Sequence, residues 1–384
     1  MIVRRSFFIL ILIILALTGC VRSVSRTAAP PIEPLSPVSA TEFNFADDLD
    51  FDSLDLAIER SLHYYDGPGR SNVYRLAGAL ITAAQLKESL LAFRQIINDS
   101  LNTAEKNKKI KETFALYRAV GYGGCGEVLF TGYYVPMLSG SLTRSEKYKY
   151  PLYGPPPDVA TGIDRMNNGE SIVYFTRKDI DVEGALQGKN LEIVWVSDPV
   201  DLFFLHIQGS GEIILEDGAI LTVSAIRTNG RPFRSVTKHM LDTGVISGRE
   251  ASYYNVKRIL KEKSEREQGE ILSYNERYIF FHFVEKPTGS LGEPVTAGRT
   301  IATDPEIFPP GALAFIRLRK PVSDQKGNLT GSRVAFSRFV LNQDKGSAIK
   351  GPGRVDLFCG FGTTAESIAG SLKEKGELYF LIKK

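Results

Sequence analysis

Beyond Gly121 the chain is cut repeatedly into short apolar or alternating runs bounded by Gly, Pro, Asn and Asp. "VLFTGYYVPML", "SIVYFT", "LEIVWVS", "DLFFLHIQGSGEIILEDGAILTV", "IFFHFVE", "ALAFIRLRKP", "SRVAFSRFVL" and "GELYFLIKK" follow one another in this way. Such runs read as strands joined by turns, and their regular spacing predicts one or two β-barrels. A helical stretch, "SVTKHMLDTGVISGREASYYNVKRILKEKSEREQG", separates the middle strands from the last group. Upstream, residues 50–118 carry apolar positions at three- and four-residue spacing, as in "LDLAIERSLHYY", and predict several helices.

The first twenty residues do not belong to that fold. Arg4 and Arg5 precede an apolar run from Phe7 to Leu17, then small residues, then Cys20. The run is short for a membrane span and has the order of an export signal, against the alternative of an uncleaved anchor helix. Leu17-Thr18-Gly19-Cys20 resembles the bacterial lipobox, which implies a lipidated Cys20 at the mature N-terminus. Val21 after the cysteine implies the outer membrane of a Gram-negative cell, on its periplasmic face. Residues 21–43, rich in Pro, Ser and Thr, read as a flexible linker between the lipid and the folded body.

The body itself is long enough for two compact units: 384 residues, 43% hydrophobic and 24% charged. A net charge of +3 from 47 basic and 44 acidic residues, with no basic stripe interleaved with aromatics, argues against nucleic acid as a partner. His63, His206, His239 and His282 stand far apart without ligand spacing, so neither a metal nor a cofactor is expected. His206 and His282 fall inside apolar runs and are expected to be packed strand residues. No G-x-S-x-G is present, which argues against a nucleophile-elbow hydrolase. Cys125 and Cys359 are expected as free thiols, though an exported compartment would permit a disulfide.

Three stretches carry candidate chemistry. In "FTGYYVP", Thr131 and the pair Tyr133 and Tyr134 follow an apolar strand and suit a sugar, whose apolar face packs on a ring while its hydroxyls need partners. In "DLFFLHIQGSGEI", Gln208, Gly209 and Ser210 offer an amide, a close backbone approach and a hydroxyl, though an ordinary strand turn would look the same. Asp304, Asp344 and Asp356 each follow a short β-type run, the last two amid glycines. Two carboxylates held close cannot both ionise freely, so one can stay protonated and serve as a general acid. Asp304, before a proline, reads instead as a turn residue accepting backbone N–H groups.

The order of "SNVY", "LFTGYYVP", "YPLYGPPP", "DPVDLFFLHIQGSG", "NGRPFRS", "AGRTIATDPEIFPPGAL" and "DKGSAIKGPGRVDLFCGFGTTAESIAG" resembles the membrane-bound lytic murein transglycosylase A family, the last two stretches its three-aspartate domain. The resemblance implies a double-psi β-barrel built from residues 44–135 and 290–384, interrupted by a second β-barrel over 136–289, with peptidoglycan strands bound in the groove between them. It implies cleavage of the β-1,4 bond between N-acetylmuramic acid and N-acetylglucosamine with formation of a 1,6-anhydromuramoyl end. On this resemblance Asp356 is the catalytic acid, Asp344 and Asp304 are supporting carboxylates, and Thr131 is a groove residue. Tyr133, Tyr134, Gln208, Gly209, Ser210 and Lys350 complete the expected glycan-binding set. The chain departs from the family at Lys345, Ser347, Cys359 and Ile226. A hydrolytic endoglycosidase and a silent glycan-binding lipoprotein are the competing readings.

Overall fold

The structure, a computed structural model, describes residues 33–41, 43–160, 166–167, 170–171, 174–323, 329–346 and 348–384. The export signal, Cys20 and the first part of the linker lie outside the described residues. The folded body begins earlier than the linker reading expects. Leu35–Val38 form an edge strand, β1, paired antiparallel to β4 (Phe114–Ala119). Leu35 is buried there, and Phe43 packs on Phe45, Phe315 and Tyr379, so the later part of the Pro-rich stretch is ordered by apolar burial.

Between β1 and β4 come three helices and a hairpin. Helix α1 (Leu54–Asp66) is followed by β2 (Val73–Leu76) and β3 (Ala79–Thr82), then α2 (Ala83–Asn98) and α3 (Thr103–Thr113). Thr82 and Asn102 cap α2 and α3 through reciprocal bonds with Gln85 and Glu105. The helical spacing of residues 50–118 thus holds for three segments and fails at both β2–β3 and β4. The failure at β4 is a tertiary effect: Phe114, Leu116 and Ala119 are buried in a sheet, and β4 pairs with β18 (Lys373–Lys383) as well as β1.

Strand β5 (Val128–Val135) leads straight into β6 (Met137–Ser141), yet the two belong to different sheets. The second sheet has the order β13-β12-β11-β6-β10-β7. Its members are β6, β7 (Tyr150–Tyr153), β10 (Glu192–Val196), β11 (Ser210–Ile214), β12 (Ile220–Thr228) and β13 (Ile279–Val284). Between β7 and β10 lie α4 (Pro157–Ala160), the minimal pair β8 (Met166–Asn167) and β9 (Glu170–Ser171), and α5 (Arg177–Asp181). Helix α6 (Pro199–Gln208) packs Leu202 and Leu205 onto one face of the sheet. Its opposite face, Val200, Phe203 and Phe204, meets α7 (Val236–Asp242), α8 (Tyr253–Lys261) and α9 (Glu265–Leu272). Among the described residues no ladder joins β13 to β7, so this domain is a six-stranded sheet packed on a helix rather than a ring closed by hydrogen bonds.

That helix corrects the strand reading of "DLFFLHIQ". Asp198 accepts from the backbone N–H groups of Val200 (2.8 Å) and Asp201 (2.9 Å), Pro199 occupies the first turn, and Gly209 ends the helix at φ 82°. Six of its ten residues are buried, between the sheet and the helices, and such a largely apolar run has too weak a period to distinguish it from a core strand. His206 is accordingly a buried helix residue, while His282 on β13 is exposed and not packed.

The chain then returns to the first sheet through β14 (Thr300–Ala302), β15 (Leu313–Ser323), β16 (Leu329–Asp344), β17 (Arg354–Phe361), α10 (Gly362–Ser371) and β18. Its order is β1-β4-β18-β15-β16-β14-β17-β5, and β18 also pairs with β5. The ring from β18 through β15, β16, β14, β17 and β5 is therefore a closed six-stranded barrel. Phe130, Phe315, Phe339, Leu341, Val355 and Phe380 belong to one buried apolar cluster that the barrel shares with the helices before β4, and Phe93 of α2 reaches Phe339 at 4.6 Å. Arg299 and Asp47, both fully buried, tie the segment before α1 to the barrel with contacts of 2.6 and 2.9 Å.

Candidate active site

The shortest strand of the barrel positions the candidate carboxylates. Ala302, at the end of β14, is opposite Asp356 of antiparallel β17 on one side and Asp344 of parallel β16 on the other. On the far side of β17, Asp356 is in register with Thr131 of parallel β5. Four strands thus bring together residues remote in sequence. Close packing of α10 on β5 holds the layer: a Cβ on Gly132 would lie 2.8 Å from Ala369 Cα, so no larger residue fits there.

Thr131 Oγ1 is hydrogen-bonded to Asp356 Oδ1. Arg354 Nη2 donates to Thr131 Oγ1 at 3.2 Å. Burial pushes the Asp356 carboxyl up to about 6, with the Arg354 charge opposing and the Asp344 charge adding to the rise. Asp344 differs in that its oxygens are occupied. Tyr133 Oη donates to Oδ2 at 2.9 Å, and the backbone N–H groups of Ser290 and Lys345 donate to Oδ1 at 2.9 and 2.8 Å. Burial raises its pKa, against the pull of those three donors. The expected pairing of unequal carboxylates is present, but burial outweighs mutual repulsion as its cause.

Asp304 stands apart as the turn reading has it. It accepts from Gly351 N (2.9 Å), Glu306 N (3.3 Å) and Lys350 Nζ (3.3 Å). Burial works to raise its carboxyl, and these donors outweigh it and hold the group below the usual range. Gly351, at φ 77°, lets the glycine-rich loop bend so that its N–H meets this carboxylate. The glycines of that stretch are in this respect a scaffold.

A cleft of about 630 Å³ opens above Asp356 and Asp344, between the barrel and the second domain. Thr131 and Tyr133 line its barrel wall; Gln208 and Gly209 line the opposite one. The other expected binding residues lie elsewhere. Tyr134 points away from its neighbour Tyr133, as strand alternation requires, and bonds Tyr253 Oη at 2.7 Å beneath α10. Ser210 is paired with Ser224 at 3.2 Å between β11 and β12. Lys350 spans Asp304 and Glu306 outside the cleft.

The sequence reading missed Arg354, although its position two residues before Asp356 on a strand puts both on one face. It also missed most of the second domain's cleft wall, where Arg227, Phe233 and Arg277 gather beside Ile226, which the sequence had marked only as a departure from the family. Arg177 is buried beneath that wall. It bonds Asp181 at 3.1 Å, the carbonyls of Asn275 and Arg277, and His206 Nδ1 at 3.0 Å. Burial and the Arg177 charge depress the His206 pKa well below its ordinary value, so the ring is neutral. A larger cavity, about 860 Å³, lies in the second domain and contains none of the three aspartates. Cys125 and Cys359 are free thiols.

Comparison with known proteins agrees with this architecture. The model of the MltA specific insert domain matches residues 129–282, and that of the 3D domain matches residues 299–382. Together they define a protein of two β domains, a 3D-bearing barrel and an MltA-type insert. The chain belongs to the membrane-bound lytic murein transglycosylase A family. It is 29% identical over 268 residues to the Escherichia coli K12 protein of that name, a match spanning 68% of this chain and 67% of that one. The crystal structure of a membrane-bound lytic murein transglycosylase from Agrobacterium tumefaciens superposes with a TM-score of 0.72 at 27% identity, covering 91% of this chain and 97% of that one. The fold is shared also with E. coli MltA with bound chitohexaose, at a TM-score of 0.71 and 23% identity over 91% of this chain and 94% of that one.

Proposed function

We propose that this chain is a peptidoglycan lytic transglycosylase. It cleaves the β-1,4 bond between N-acetylmuramic acid and N-acetylglucosamine and leaves a 1,6-anhydromuramoyl end, with Asp356 as both acid and base. Family membership supports the substrate class, and the chitohexaose complex of the E. coli protein supports a β-1,4-linked amino-sugar strand in the cleft.

The observation that carries the mechanism is the contrast between the two aspartates. Asp356 has a carboxyl raised to about 6, with Oδ1 engaged by Thr131 and no protein hydrogen bond to Oδ2 among the described residues. It holds a proton near neutral pH and gives it to the glycosidic oxygen as the C1–O bond breaks with oxocarbenium character. The resulting carboxylate takes the proton of the muramoyl C6 hydroxyl as that oxygen closes on C1, so the proton count returns to its start. Asp344 accepts three hydrogen bonds and has little capacity left to activate a water, which speaks against two-carboxylate hydrolysis. Asp344 and Asp304 act as supports, the first for the cleft floor and the second for the glycine loop.

The barrel is of the double-psi type on this reading. Its two parallel pairs, β17–β5 and β14–β16, within an otherwise antiparallel ring support that description. The domains on this reading are 44–135 with 290–384, to which the edge strand Leu35–Val38 is added, and 136–289. The mature protein is held by a lipid on Cys20 at the periplasmic face of the outer membrane; among the described residues no helix is long and apolar enough to span a bilayer. Mass spectrometry of muropeptides released from sacculi tests the assignment: anhydro ends are expected, and products with only reducing ends would make the enzyme a hydrolase.

A further inference from the structure

The hydrogen bonds around Asp356 form a directed chain. A guanidinium can only donate, so the 3.2 Å contact makes Thr131 Oγ1 an acceptor from Arg354 Nη2. The single threonine proton is then left for its other partner, Asp356 Oδ1. Among the described residues Arg354 Nε is buried with no hydrogen-bond partner, so that nitrogen holds the guanidinium to no other group.

We propose that Arg354 is the positioning residue of this site: by orienting the Thr131 hydroxyl toward Asp356 Oδ1 it confines the transferable proton to Oδ2, the oxygen left free for the substrate. This rests on the lytic reading of the site and specifies how one carboxyl keeps a fixed orientation through both proton transfers. With Oδ1 always receiving a hydrogen bond, Oδ2 carries the proton in the acid form and receives it back in the base form. Arg354 also faces the carboxylate produced by the first transfer, and it favours that charge.

Other groups around Asp356 do not duplicate this role. From β16 Asp344 adds like charge, and on β17 itself Cys359 is an un-ionised thiol pushed up to about 12 by burial. From β5 Tyr133 is a buried phenol committed to Asp344. Across the cleft stand neutral His206 on α6, Arg227 on β12 and Arg277 before β13, and Lys345 follows Asp344 on the barrel side. Arg354 is the cation whose charge lowers the Asp356 carboxyl.

The test is the pH dependence of kcat/KM for anhydromuropeptide release by wild type, Arg354→Met, Arg354→Lys, Thr131→Val and the Arg354→Met/Thr131→Val double variant. Arg354→Met is expected to slow turnover and move the alkaline limb upward by about one pH unit, the effect of removing one nearby opposite charge. Thr131→Val is expected to move it in the same direction. The double variant is expected to be no slower than the poorer single one, since both remove one relay. Arg354→Lys, which keeps a charge and a donor, is expected to restore most of the limb position. An unmoved limb in Arg354→Met, or single-variant losses that multiply in the double, would overturn the relay. If Arg354→Met does not fold, Arg354→Lys and Thr131→Val decide alone, and a Thr131→Val limb identical to wild type overturns it. Absence of anhydro ends from the wild type would instead remove the activity reading itself.

Discussion

On the proposed mechanism Asp356 must stay protonated where water would ionise it, and the same burial that achieves this works against the folded state. Its carboxyl titrates near 6 in the fold against 3.8 in an unperturbed chain. Between those values the unfolded chain gives up its proton first, so this group's contribution to stability falls as pH rises from about 4 to about 6. Asp356→Asn removes the titration. The variant is therefore expected to melt higher than wild type at neutral pH, with the difference vanishing near pH 4, as followed by thermal unfolding across pH. Its turnover of sacculi is expected to fall by at least about 10²-fold while glycan binding persists, because an amide has no proton to transfer. Near-normal turnover would end the case for this aspartate. Asp344 and Asp356 stand out in the sequence by their flanking strands and glycines, whereas the roles expected of Asp356 and Thr131 came from the family resemblance. Tyr134, Ser210 and Lys350 were not separable from true cleft residues, since a strand's facing depends on a register that only the partner strands define.

Helix α6 is the element on which the second domain turns, with a sheet on one face and three helices on the other. Its N-cap is one residue, Asp198. Asp198→Ala is expected to lower stability by about 1 kcal/mol, measured by denaturant unfolding, without moving the pH profile of activity. An unchanged midpoint would mean the two short bonds to Val200 and Asp201 contribute little. The same helix marks where reading by periodicity stops working. The cap, the proline and the terminal glycine were all present in "SDPVDLFFLHIQG", but a largely apolar segment buried between sheet and helices shows too weak an amphipathic stripe. Strand β4 fails for the opposite reason: its residues follow a helix without a break, and pairing with β1 and β18 decides its conformation.

Across the molecule, the two sheets follow from the strand-and-turn texture, and the division at Val135–Met137 follows the family resemblance. A barrel was expected, but its strand order and parallel pairs were not readable, because the pairs that close it, β17–β5 and β18–β5, join strands remote in the chain. The Asp47–Arg299 pair is another long-range tie invisible in sequence. Both side chains are fully buried, and Asp47 also accepts from the backbone N–H groups of Leu49, Phe51 and Phe339. Asp47→Ala leaves an uncompensated guanidinium in the core and is expected to cost about 3–5 kcal/mol of stability, read from chemical denaturation. A loss under about 1 kcal/mol would show that water reaches Arg299 when its partner is gone.

The barrel is also split in time. Thr131 lies 225 residues before Asp356, and β18, which seals the ring beside Thr131 through the Lys373–Thr131 register, comes later still. A ribosome that has delivered the first half of the chain has delivered no cutting edge. On the proposed function, an enzyme able to sever the wall of its own cell is thereby born unarmed, and it becomes dangerous only after nearly its whole length has been made and folded together.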